Sequence, residues 1–146
     1  IFRTPSYFLP PFSCFSLYFA TMFALEAKLK ASAKNQTVAV SEPVFDNTLT
    51  ALGYRIMNGH FARAIEDSSD PSPQDVRQLE RALEAKQVAF FVQNTQVDSK
   101  IVTNMVAKAK AAGVPIVKVT ETMPKGQTYR SWMMAQYKQI QKIQAR

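Results

Sequence analysis

The chain has 146 residues, 47% of them hydrophobic, which is enough to bury one core and fits a single folded unit. Its formal charge is +7, yet Lys100, Lys108, Lys110, Lys138 and Lys142 are scattered along predicted helices without interleaved aromatics. They read as solvated helix faces and not as a nucleic-acid stripe. The single cysteine, Cys14, excludes an internal disulfide and a cysteine-based metal cluster.

Residues 1–23 differ in character from the rest. They hold six of the ten phenylalanines and three of the eight prolines, with no clean period of 2 or 3.6. The apolar run Phe12 to Phe23 is shorter than the ~20 residues that span a bilayer. A signal peptide, or a lipid-attachment site at Cys14, is compatible with the preceding arginine. Pro10 and Pro11 and the poor cleavage pattern favour instead a segment without chemistry of its own. The first residue is Ile1, which points to a start inside a longer reading frame or after processing.

From Ala24 the composition becomes strongly helical through Lys34, with Leu25 and Leu29 four apart, as at the end of a longer helix. Thr37 to Ser41 predicts a strand that runs into Glu42 and Pro43. Pro43 to Leu52 predicts a helix stopped by Gly53, and Tyr54 to Met57 a short strand ending at Asn58-Gly59-His60. After a polar loop from Glu66 to Pro71, Ser72 is a natural N-cap with Pro73 at the first helical position and Asp75 at the third. That helix extends to about Lys86, with Val76, Leu79 and Leu83 inward.

Val88 to Val92 is the most hydrophobic run of the body and predicts a central strand buried on both faces, ending in Gln93-Asn94. A helix follows from Val97 to Ala112, then a strand from Pro115 to Thr120 that reaches Glu121. Thr128 caps a last helix to about Ile143, whose Trp132, Met133, Gln136 and Ile140 share one side. Strand and helix alternate four times, which predicts an α/β fold: a four-stranded parallel sheet with helices on both faces. No glycine-rich phosphate or dinucleotide loop follows any strand, so those versions of the fold lack support.

In such a sheet the ligand site lies off the carboxyl ends of the strands. Those ends hold Glu42, Asn58 with His60, Gln93 with Asn94, and Glu121. Two carboxylates held close repel each other, and a hard divalent cation between them relieves the repulsion. Oxygen ligands suit manganese, magnesium or calcium, and an imidazole adds preference for transition metals. The competing reading of each glutamate is a solvated loop carboxylate beside a helix N-terminus. His60, a lone histidine after Gly59, fits a surface residue better than an accessory ligand. One histidine and one cysteine, on segments of different character, offer no nucleophilic triad. Glycosidase chemistry would want an aromatic sugar platform, which a bare sheet edge lacks.

Taken together, Val38-Ala39-Val40-Ser41-Glu42-Pro43-Val44-Phe45-Asp46, Ala51-Leu52-Gly53, Asp70-Pro71-Ser72-Pro73, Val119-Thr120-Glu121-Thr122-Met123-Pro124 and Tyr129-x-x-Trp132-Met133 carry a family resemblance. They resemble the C-terminal lobe of the zinc/manganese-type solute-binding proteins of metal ABC importers, some of which are also described as surface adhesin lipoproteins. The resemblance covers Ala24 to about Ile143. It implies a division into an atypical segment (1–23), the end of an interlobe linking helix (24–35) and a C-terminal α/β lobe (36–146).

The resemblance further implies a non-enzymatic, extracytoplasmic protein, in the periplasm or lipid-anchored at the cell surface, that captures Mn²⁺ or Zn²⁺ between two lobes for an ABC permease. By position Glu42 and Glu121 would be this lobe's ligands. Gln93 and Asn94 would orient them or line the surface between lobes. Glu121 stands where the family usually has Asp, which lengthens the arm. The two histidines expected from the other lobe are not in this chain, so it would hold half a site, binding weakly and with little selectivity. Its interlobe face could self-associate. The alternative is a metal-independent, adhesin-like interaction module, or a truncated gene product without function.

Overall fold

The computed structural model describes residues 12–146, with side chains from Tyr18 onward. Helix α1 spans Phe12–Ala33 and leads into strand β1, Thr37–Val40. A 3₁₀ turn (Pro43–Phe45) and helix α2 (Asp46–Ala51) precede β2 (Arg55–Ile56). Helices α3 (Gly59–Glu66) and α4 (Pro73–Glu84) follow, then β3 (Phe91–Asn94), α5 (Lys100–Ala112), β4 (Ile116–Val119) and α6 (Tyr129–Gln144). All strand pairs are parallel, in the order β2-β1-β3-β4. The expected α/β architecture is therefore present, with β3 between β1 and β4.

Alternation along the strands builds two cores. Val38 and Val40 of β1, Phe90 and Val92, and Val117 and Val119 of β4 face one side. There they pack with Leu25, Leu29 and Ala33 of α1, Leu49 of α2, and Met133, Tyr137 and Ile140 of α6. Ala39 and Phe91 face the other, against Phe61 and Ile65 of α3, Leu79 and Leu83 of α4, and Val102, Met105, Val106 and Ala109 of α5. A strand turns successive side chains to opposite faces, so the adjacent Phe90 and Phe91 each fill a different core.

Several boundaries differ from the sequence expectations. Helix α1 runs on both sides of position 23, one continuous helix where composition suggested a break. The readings for residues 1–11, and for the Cys14 side chain, lie outside what is described. Helix α5 starts at Lys100 and not Val97, because Ser99 takes the N-cap and its hydroxyl accepts from Val102 N. Helix α3 adds an element between β2 and the polar loop; Phe61 and Ile65, four apart, bury its inner face. The proposed caps are present: Ser72 Oγ accepts from Asp75 N at 3.1 Å, and Thr128 and Ser131 form a reciprocal capping box.

Lys108 bridges Glu80 and Glu84 of α4 from α5, at 3.6 and 3.1 Å, and this pairing raises its pKa. That is the behaviour of a solvated face. Tyr137 is different: burial pushes its phenol up to about 12, with Glu26 of α1 and Tyr129 adding to the effect. A phenol that holds its proton more tightly when folded stabilises the fold fully below its unfolded pKa of 10.0, and that stability is lost as pH climbs toward 12. Tyr137→Phe should therefore flatten the alkaline arm of a stability–pH curve between those values, as read by urea unfolding at stepped pH. An unchanged slope would refute the assignment.

Candidate metal centre

Strand order places a crevice between β1 and β3. The chain leaves β1 for β2 on one side and then crosses to β3 on the other, and in open α/β sheets this reversal point is where ligands bind. Glu42 follows β1 and Asn94 ends β3, so both sit at the carboxyl mouth of that crevice. Glu42 is 6% exposed and Asn94 1%. Asn94 Nδ2 donates to Glu42 Oε2 at 2.8 Å. The Asn94 backbone N–H donates to Ser41 Oγ at 2.9 Å, and Asn94 Oδ1 accepts from Gln96 N at 3.0 Å.

The result is a carboxyl group held in one orientation. Asn94 occupies Oε2, and Oε1 has no hydrogen-bond partner among the described residues. An amide that fixes a carboxylate by one oxygen and leaves the other free is a suitable support for a metal ligand.

The end of β1 is fastened from its other side. Asn58 Oδ1 accepts from Val40 N at 3.0 Å while its Nδ2 donates to Val40 O at 2.7 Å. This side chain thereby continues the β1–β2 ladder past Ile56. On the far side, Gln96 clamps the loop after β4: its Nε2 donates to Thr122 Oγ1 at 2.7 Å and its Oε1 accepts from Thr122 N at 2.9 Å. Trp132 Nε1 donates to Thr120 Oγ1 at 2.8 Å. The loop that bears Glu121 is thus anchored on both flanks.

Glu121 itself is exposed. It lies on the same edge of the sheet as Glu42, with β3 between the two strands that lead to them, a separation of roughly 10 Å between strand axes. Gln93 is half-buried in β3, in register with Lys118. His60 is exposed in the first turn of α3. Among the described residues, no group of three or more His, Cys, Asp or Glu side chains converges as a complete metal site. The structure joins Glu42 to Asn94 and leaves Glu121, Gln93 and His60 outside that bond.

What the sequence does not show is the role of three residues at this edge. Ser41 and Asn58 are polar residues at strand ends, and their role in pinning β1 depends on which strand lies beside which. Asp46, in the first turn of α2, has a buried Oδ1 without a hydrogen-bond partner. Burial raises its pKa, nearby Glu66 raises it further, and Arg63 partly offsets this.

The family model described as "Zinc-uptake complex component A periplasmic" matches residues 17–143, starting before Ala24. No curated protein matches the sequence. Among solved structures, the periplasmic zinc binding protein TroA of Treponema pallidum is 15% identical, with a TM-score of 0.57 over 90% of this chain and 50% of that one. The laminin binding protein of Streptococcus agalactiae, described as bifunctional with adhesin and metal transporting activity, is 17% identical, with a TM-score of 0.56 over 86% of this chain and 50% of that one. The solute-binding protein FpvC of Pseudomonas aeruginosa, solved with Mn²⁺, is 16% identical, with a TM-score of 0.52 over 88% and 48%.

At these identities the likeness establishes the fold, and this chain spans about half the length of each. No helix among the described residues is long and apolar enough to cross a membrane. The chain belongs to the zinc-uptake complex component A family of periplasmic metal-binding solute-binding proteins, which are not enzymes, and its extent fits a single lobe of such a protein.

Proposed function

We propose that this chain is the metal-capturing C-terminal lobe of the extracytoplasmic solute-binding component of a transition-metal ABC importer. Mn²⁺ or Zn²⁺ is its cargo, taken at the carboxyl edge of the sheet through Glu42 and Glu121 and passed to the permease. The observation that carries this reading is the buried Glu42 carboxyl group, held by Asn94 with one oxygen free at the β1–β3 crevice. Evolution of a solvated loop carboxylate would not need such a partner, whereas a ligand that must meet a cation in one orientation does. Asn94 orients Glu42, and Gln93 lines the surface toward a second lobe, which supplies the remaining ligands. His60 stays at most an accessory.

Two carboxylates alone make a weak site, and ligand number sets affinity. Calorimetric titration of the 146-residue chain with Mn²⁺ and with Zn²⁺ tests the assignment. Saturable heat in the parent chain that disappears in Glu42→Ala is expected; no heat in either, or equal heat in both, refutes the ligand role.

A second reading is an adhesin-like surface module that works without metal. It is favoured by one feature, the exposed aromatic and thioether side chains of Tyr18, Phe23, Met123 and Tyr129. The bifunctional description of the streptococcal protein is compatible with both readings.

A further inference from the structure

The opposite edge of the sheet, where the strands begin, holds a second concavity. A groove of about 690 Å³ opens there between the last turns of α1 and α6 and the approaches to β3 and β4. That volume lies within the range of small-molecule sites. Lys34, Tyr54, Gln144 and Arg146 line it, and no Asp or Glu side chain does. Gly113 also lines it, and a Cβ there would lie 3.9 Å from Lys86 Nζ, which brings a third cation to the rim. None of these three cations is in an ion pair among the described residues.

The floor is built and not merely exposed. Tyr54 is 4% exposed, its ring set edge-on against Phe90 with centroids 5.0 Å apart. Its hydroxyl oxygen accepts from Gln144 Nε2 at 2.6 Å, and the same amide donates to Leu29 O at 3.0 Å. The hydroxyl hydrogen has no acceptor among the described residues. Favourable interaction with helix C-termini accounts for cations at this edge. It does not account for a tyrosine hydroxyl set in the lining of the groove, its oxygen accepting from Gln144 and its own hydrogen available to donate.

We propose that this groove binds a phosphate-bearing anion, with the Tyr54 hydroxyl donating to one oxygen and Lys34, Lys86 and Arg146 supplying the charge. Phosphate matches the lining in kind, since it brings negative charge and several acceptor oxygens to cationic side chains and a hydroxyl. The ligand is either free in solution or the headgroup of an anionic lipid, on the edge remote from Glu42. The inference does not depend on the metal assignment.

Titration with inorganic phosphate, followed by amide chemical shifts, and co-sedimentation with phosphatidylglycerol against phosphatidylcholine vesicles test it on the 146-residue chain. Saturable binding in at least one arm is expected, and which arm responds identifies the source. Tyr54→Phe, which keeps the ring, should weaken it about tenfold, and Lys34→Glu with Arg146→Glu should abolish it. Absence of saturable binding in both arms overturns the proposal. So does an equal loss from Lys100→Glu with Lys125→Glu, a pair off the groove, since that would mark binding to net charge alone.

Discussion

Phe91→Ala is expected to lower the unfolding free energy by about 3–5 kcal/mol, the range for emptying a buried aromatic site. Phe91 is fully buried in the middle of the sheet and packs into the core formed with α3, α4 and α5. Domains of this size are stable by about 5–15 kcal/mol, so the loss would remove a large share of what holds the fold. Urea unfolding followed by circular dichroism measures it, with Phe23→Ala as the control. Phe23 is 57% exposed on α1, and its removal should change stability by less than about 0.5 kcal/mol. Similar losses in the two variants would mean that the two-core description of the sheet is wrong.

The second large effect is expected from Asn94. Asn94→Ala leaves Glu42 Oε2 without its donor and frees Gln96 N, which water can reach. An unsatisfied buried polar group costs about 1–3 kcal/mol. Asn94→Asp keeps the shape but sets an acceptor against an acceptor, and it should cost at least as much. If Glu42 is a ligand, Asn94→Ala should also weaken Mn²⁺ or Zn²⁺ binding by about 10–100-fold, as loss of a ligand's hydrogen-bond partner does. Unfolding curves and metal titrations on the same samples separate the two consequences. A stability loss with undiminished metal binding would make Asn94 a purely structural residue.

The adjacency of Glu42 and Asn94 shows where sequence reading stops. Both were recognisable as strand-end residues, because β-favouring runs stop just before or at them and the alternation of strand and helix implies a parallel sheet. The hydrogen bond between them was not, since 52 residues separate the pair and only strand order makes β1 and β3 neighbours. The partners of Ser41 and Asn58 were hidden for the same reason. Asn58 completes a ladder with Val40 across the β1–β2 pair, and no local pattern records which strand an asparagine will bridge to.

Local errors had local causes. Helix α3 is eight residues long and follows directly from β2, so its 3.6-residue period covers barely two turns and is easily taken for loop. At α5 the apolar Val97 suggested an earlier start, but a hydroxyl at Ser99 positioned to accept from Val102 N decides the first turn. In α1 the change of composition at position 23 said nothing about backbone continuity, which is set by hydrogen bonding along the helix and by burial of Met22, Leu25 and Leu29 against α6.

By itself the sequence determined the fold class, the central place of the Val88–Val92 run, the caps at Ser72 and Thr128, and the edge at which Glu42 and Glu121 emerge. These follow from period, propensity and capping chemistry, which act over a few residues. Tertiary structure alone decided that β3 separates the strands bearing the two glutamates, that Asn94 grips one of them, and that Tyr54 and three cations meet at the opposite edge. Those outcomes depend on the order of strands and the packing of distant helices, and distance along a chain carries no record of either.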